Sequence, residues 1–169
     1  MEEKLYEHVA WDTNTFGYKV ARITASQVSP VSLTKLLSLL KHQGYQLVYW
    51  SVNPENIFLN IVAEQAGGLL ADEKLTFTTL LSTGLLLKQN TGFAIEPYVQ
   101  PEAFADLQRL ALQSGTYSRF KRDPHFKNQE FEKLYTAWLQ NSISKNVARK
   151  VFIYHLEGKI LGFITLVEK

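Results

Sequence analysis

The apolar residues of this chain keep changing period, two in some segments and three or four in others, with polar turns between. A period of two buries one face of a strand, and a period near 3.6 buries one stripe of a helix. Such a chain must therefore build layers of helix on sheet. Leu5 to Val9 and Tyr18 to Thr24 read as strands, separated by Asp12-Thr13-Asn14-Thr15, which has the composition of a turn. Pro30 and Ser32 open a helix with Leu33, Leu36, Leu37 and Leu40 on one stripe, closed by Gly44. Leu47 to Val52 is a strand stopped by Asn53-Pro54, and Ile57, Ile61, Ala63 and Ala66 suit a helix closed by Gly67-Gly68. Leu75 to Leu81, apolar and rich in threonine, reads as a further strand.

The polar stretch from Lys88 to Gly92 is the best linker in the sequence. It separates an expected α/β domain, residues 1–88, from a second unit, residues 93–169. That unit opens with a strand, Phe93 to Tyr98, broken by Pro97. Pro101 starts a helix carrying Phe104, Leu107, Leu110 and Ala111 inward, and a loop from Ser114 to Lys127 follows. The clearest helix has Phe131, Leu134, Tyr135, Trp138, Leu139 and Ser142 at three- and four-residue steps. Val151 to Leu156 and Lys159 to Val167 form a hairpin turned at Glu157-Gly158. The expected fold class is mixed α/β, with α+β character in the second unit.

At 169 residues with 46% hydrophobic side chains, the chain can bury one or two cores; 12% aromatic content argues against disorder. A net charge of +2 is too mild to mark a nucleic-acid binder. With no cysteine, disulfide scaffolds, thiolate nucleophiles and cysteine-held metals are excluded. No apolar run reaches the roughly 20 residues of a membrane span. The start, Met1-Glu2-Glu3-Lys4, lacks signal-peptide order, so a cytoplasmic protein is expected, with neither nucleic acid nor membrane as partner.

No nucleophile elbow, P-loop or dinucleotide fingerprint occurs, and His8, His42, His125 and His155 show no ligand spacing. The densest polar and aromatic stretch is Ser114 to Lys127, between two helices, where binding groups collect. Arg119 suits bidentate capture of a phosphate or carboxylate, while Lys121 and Arg122 add diffuse positive charge. Tyr117 or Phe120 suits stacking on a base or sugar face. The competing reading is a solvated basic loop whose aromatics plug the core. A second constellation, Trp11, Asp12, Phe16 and Gly17, reads as structural: rings packed between sheet and helix, a turn-forming Asp and a permissive Gly. Glu96, Glu157 and the histidines are candidate general bases by residue type only.

Trp11-Asp12-Thr13, Phe16-Gly17 and Val20-Ala21-Arg22-Ile23 together resemble the opening of the dTDP-fucosamine acetyltransferase group and related sugar-nucleotide N-acetyltransferases of the GNAT superfamily. Ala71 to Phe77 resembles the same group, as do Tyr117-Ser118-Arg119-Phe120, Asp123-Pro124, Leu134-Tyr135 and Trp138 through Asn141-Ser142, in the same order. The resemblance implies a partial N-terminal α/β domain followed by an acetyltransferase domain, with acetyl-CoA as donor and a nucleotide-linked amino-deoxysugar as acceptor. It implies that Tyr117, Ser118, Arg119, Phe120 and Arg122 lie at the acceptor, with Arg119 recognising its anionic part.

The resemblance also carries a departure. The superfamily's pyrophosphate turn, Gln/Arg-x-x-Gly-x-Gly/Ala, is not found after the last strand, where only Glu168 and Lys169 follow Val167. The next strand, which polarises the thioester, and a C-terminal tyrosine acid are likewise not found. The expectation is half a catalytic domain, inactive unless another chain completes it. The alternatives are a non-catalytic sugar-nucleotide-binding or interaction module and a structural remnant. Ile160 to Val167 is apolar on both faces, the pattern of a strand covered on both sides. Left at a sheet edge, it would invite self-association or a second chain.

Overall fold

The computed structural model describes residues 4–76, 95–99 and 103–167. The fold is mixed α/β, with six helices and two three-stranded sheets among the described residues. The chain divides into two compact units, Met1–Ala71 and Asp72–Lys169. The expected linker at 88–92 lies outside the described residues.

In the first unit, β1 (Tyr6–His8) pairs antiparallel with β2 (Lys19–Ile23), which pairs parallel with β3 (Tyr45–Trp50). Parallel strands need a crossover, and α2 (Pro30–His42) supplies it. Ser29 caps α2 by accepting from the Ser32 N–H at 3.1 Å, and Pro30 occupies the first turn, where its missing N–H costs nothing. The stripe of Leu33, Leu36 and Leu40 is buried against Ala21 and Ile23 of β2 and Val62 of α3 (Ile57–Gln65). The segment around Asp12 to Thr15, expected as a turn, is instead α1 (Ala10–Phe16). Gly17 closes it in the left-handed conformation, φ 81°, and the Thr13 hydroxyl accepts from the Val20 N–H at 3.0 Å. Phe16 and Asp12 are buried there, whereas Trp11, expected in the core, is 39% exposed. At the second position of α1 its ring falls outside the stripe that Asp12 and Phe16 share at i and i+4.

In the second unit β5 (Lys150–Leu156) is central, flanked antiparallel by β4 (Ile95–Pro97) and β6 (Lys159–Leu166). Pro97 ends β4, an edge strand, where a missing N–H is tolerated. Residues 93–94 and Pro101 lie outside the described set, as does all of the expected 75–81 strand beyond Thr76; Leu75 and Thr76 belong to no regular element. The helices α4 (Phe104–Ser114) and α6 (Glu130–Ile143) bury Leu107, Ala111 and Leu139 against Val151, Ile153 and Ile160. Trp138 packs on Phe163 with ring centroids 6.2 Å apart. Glu157 (φ 51°) and Gly158 (φ 74°) turn the hairpin with two positive φ angles, as a primed two-residue turn requires.

The β5–β6 register shifts between Tyr154 and His155, leaving Leu161 unmatched between Ile160 and Gly162. Directly opposite residues share a face, so this bulge returns Ile160 to the face of Phe163, which strict alternation forbids. Among the described residues the strand is an edge of its sheet, and Leu161, Ile164, Leu166 and Val167 are each about half exposed or more. No helix among the described residues is long and apolar enough to cross a membrane.

Candidate functional site

The connection between α4 and α6 is built on a close approach. A Cβ on Gly115 would lie 2.2 Å from Cζ of Tyr135, so only glycine lets the end of α4 reach that ring. Tyr135 itself packs on Phe131 at 4.9 Å between centroids. Past Gly115 the chain reverses: the Ser118 N–H donates to the Gly115 carbonyl at 2.9 Å. The expected loop then holds one helical turn, α5 (Arg119–Arg122), in which the Lys121 and Arg122 N–H groups donate to the Ser118 carbonyl at 3.0 and 3.1 Å. At the far end, Glu130 is 2% exposed and accepts from the Asn128 N–H at 2.7 Å, tying down the entry to α6. The segment is therefore anchored on both sides, and its exposed groups have defined positions.

The five sequence-predicted residues fall into this one segment with different surroundings. Phe120 is buried, at 5.6 Å from Phe126 by ring centroids, and the Arg119 guanidinium stands 4.3 Å over its face. Its stacking surface is thus taken, and Tyr117, 79% exposed, is the ring left open to a base or sugar. Arg119 is partly exposed and faces the Asp72 carboxylate at 3.6 Å, an ion-pair distance too long for a hydrogen bond. At that separation and partial exposure the pair with Asp72 is itself weak. Lys121 is engaged by Glu132 at 3.4 Å and lies 4.9 Å over the Phe131 ring, whereas Arg122 is exposed with no ion pair among the described residues. The Ser118 hydroxyl is buried and has no hydrogen-bond partner among the described residues. From Arg119 to Lys127 four cations face one acid, Asp123.

That acid is the feature the residue types alone did not reveal. The Asp123 side chain is only 12% exposed, and its Oδ1 lies 2.8 Å from Nδ1 of His125, whose ring is 80% exposed. The same oxygen accepts the His125 backbone N–H at 2.9 Å. Asp-Pro-His is a local turn signature that could have pointed to it.

Other candidate bases are arranged differently. Nε2 of His155 is 3.2 Å from Oε1 of Glu96, poorly aligned for a hydrogen bond, on the helix-covered side of the sheet, and Glu157 serves the hairpin turn. His8 packs edge-on to Tyr45 at 5.8 Å. No three His, Asp or Glu side chains gather to hold a metal ion among the described residues. In the first unit a shallow cleft of about 530 Å³, lined by Leu37, Lys41, Gly44, Tyr45, Gln46 and Val48, offers a single cation.

The fold and this segment define a mixed α/β protein with an anchored, basic, aromatic connection between two helices. The sequence matches no protein-family model and no curated protein.

Proposed function

We propose that this chain is an N-acetyltransferase-like protein of the sugar-nucleotide type, whose α4–α6 connection binds the acceptor, a nucleotide-linked amino-deoxysugar. The observation that carries the reading is the pairing of Arg119, held over Phe120 yet partly exposed, with the open ring of Tyr117 two residues earlier. A guanidinium for the phosphates and a ring for the base or sugar is the minimum such a ligand needs. Arg122 adds positive charge beside them. A cytoplasmic location goes with this reading.

Acetyl-CoA is the donor implied by the resemblance, and the residues present do not fit it. The one stretch that matches Gln/Arg-x-x-Gly-x-Gly/Ala, Gln89 to Ala94, runs in the sequence straight into β4 and not into a helix, and Gly158, in the turn leading into β6, joins two strands. No acetyl-transfer step is therefore derived for this chain. Calorimetry with UDP-glucosamine should show binding that Arg119→Ala abolishes. The absence of any heat with the unmodified chain would remove the reading.

A second reading, an interaction module, is favoured by β6. Among the described residues it is an edge strand with Leu161, Ile164, Leu166 and Val167 exposed, and no proline or charge blunts it between Ile160 and Val167. Association through this edge with a second copy or another chain is compatible with acceptor binding at α5.

A further inference from the structure

The imidazole of His125 has one nitrogen committed and one open. Nδ1 is 2.8 Å from Oδ1 of Asp123, which is largely buried, while the ring is 80% exposed. A carboxylate cannot donate, so the proton in this bond belongs to Nδ1. In the neutral ring Nε2 then carries a bare lone pair directed away from the carboxylate. The turn fixes the geometry, because Oδ1 also accepts the His125 backbone N–H at 2.9 Å, and Phe126 anchors the next position against Phe120. Asp123 is tied to α5 in turn, its N–H donating to the Arg119 carbonyl at 2.9 Å. The open nitrogen thus belongs to the same short segment as Arg119 and Tyr117.

We propose that His125 accepts the proton of the bound ligand's ammonium group, with Asp123 as the positioning residue. This rests on the acceptor-binding reading and deepens it. The sugar ammonium donates a hydrogen bond to Nε2. Transfer of that proton leaves the N–H bonding pair on the sugar nitrogen as a lone pair, making it nucleophilic. The resulting imidazolium carries protons on both nitrogens and is balanced by the Asp123 carboxylate. A ligand with a hydroxyl in place of the ammonium has no charge to offer Nε2, so the dyad also discriminates for the amine.

The test uses the full 169-residue chain at about pH 8 and long-range ¹H–¹⁵N spectra of the imidazoles. His125 should be found with its proton on Nδ1; a proton on Nε2 overturns the proposal. UDP-glucosamine and UDP-glucose are then added separately. Both should shift the amide signals of Arg119 to Arg122, but only UDP-glucosamine should shift the His125 Nε2 resonance, and it should bind about tenfold more tightly. His125→Gln, at an exposed position, should keep binding to UDP-glucose and lose the tenfold preference. Asp123→Asn, which keeps an oxygen for the turn, should weaken the preference without moving the UDP-glucose affinity. Amide shifts with a silent His125 refute the dyad and leave the acceptor reading standing. No amide shift with either nucleotide removes the acceptor reading, and the dyad's role falls with it.

Discussion

Gly115 is where the basic segment meets the helical core, and replacing it with alanine tests that arrangement directly. Its backbone, φ −87° and ψ 1°, accepts alanine without strain, so the whole cost is steric. The new Cβ would stand 2.2 Å from Cζ and 2.6 Å from both Cε atoms of Tyr135. The ring must retreat by more than about 1 Å to reach ordinary contact, against its packing on Phe131. Overpacking of this kind costs about 1–3 kcal/mol, and loss of glycine's freedom in the unfolded chain returns about 0.4–1. The net is a loss of roughly 1–2 kcal/mol, which for a unit of about 100 residues lowers Tm by roughly 5–15 °C. Because the chain has two units, Trp138 should be the only tryptophan reporter, with Trp11 and Trp50 replaced by phenylalanine. Tyr135→Ala should remove most of the penalty, giving a coupling of about 1 kcal/mol in the double-mutant cycle. A midpoint that rises or stays level in Gly115→Ala would show that the Tyr135 ring does not lie over the end of α4.

Four further outcomes follow from the geometry. Ser29→Ala should cost about 1 kcal/mol of stability in urea denaturation, since the Ser29 hydroxyl satisfies the Ser32 N–H. Leu139→Ala should cost about 2–5 kcal/mol, because the side chain is fully buried between α4 and the sheet; a loss under 1 would contradict that packing. Ile164→Lys, at a position 64% exposed, should leave Tm within a few degrees while lowering any self-association seen by light scattering. Arg119→Ala should abolish UDP-glucosamine binding in calorimetry, and unchanged heats would refute its role in anion capture.

Helices with strong periodicity were legible residue by residue: the Leu33, Leu36, Leu40 stripe and the Phe131 to Ser142 stripe both face cores. So was the Glu157-Gly158 turn, because Gly158 punctuates two apolar runs and takes its positive φ at no steric cost, which draws Glu157 into the same turn. Where reading failed, a nonlocal effect had outweighed local composition. Asp12 to Thr15 has turn chemistry, but burial of Phe16 and the Thr13–Val20 hydrogen bond make it helix. The bulge at Leu161 has no composition of its own, so an apolar run that looked covered on both faces is a shifted edge strand. At the candidate site, the grouping of Tyr117 to Arg122 was visible as a dense segment between two helices. Which ring was open was not, since Tyr117 and Phe120 differ only in burial. The Asp123–His125 pair depends on a side-chain rotamer that no spacing rule reports.

The three-residue strand β4 has a consequence for how the second unit opens and closes. Its pairing of Ile95 with Tyr154 closes a loop around α4, α5 and α6, whereas the β5–β6 hairpin closes across a two-residue turn. Long-loop closure carries the larger entropy cost, and β4 offsets it with three exposed residues and a short ladder. Its docking should therefore be the last event in folding and the first to reverse. In native-state hydrogen exchange, amides of β5 bonded to β4 should exchange through a local opening well below the free energy that protects the hairpin side of the same strand.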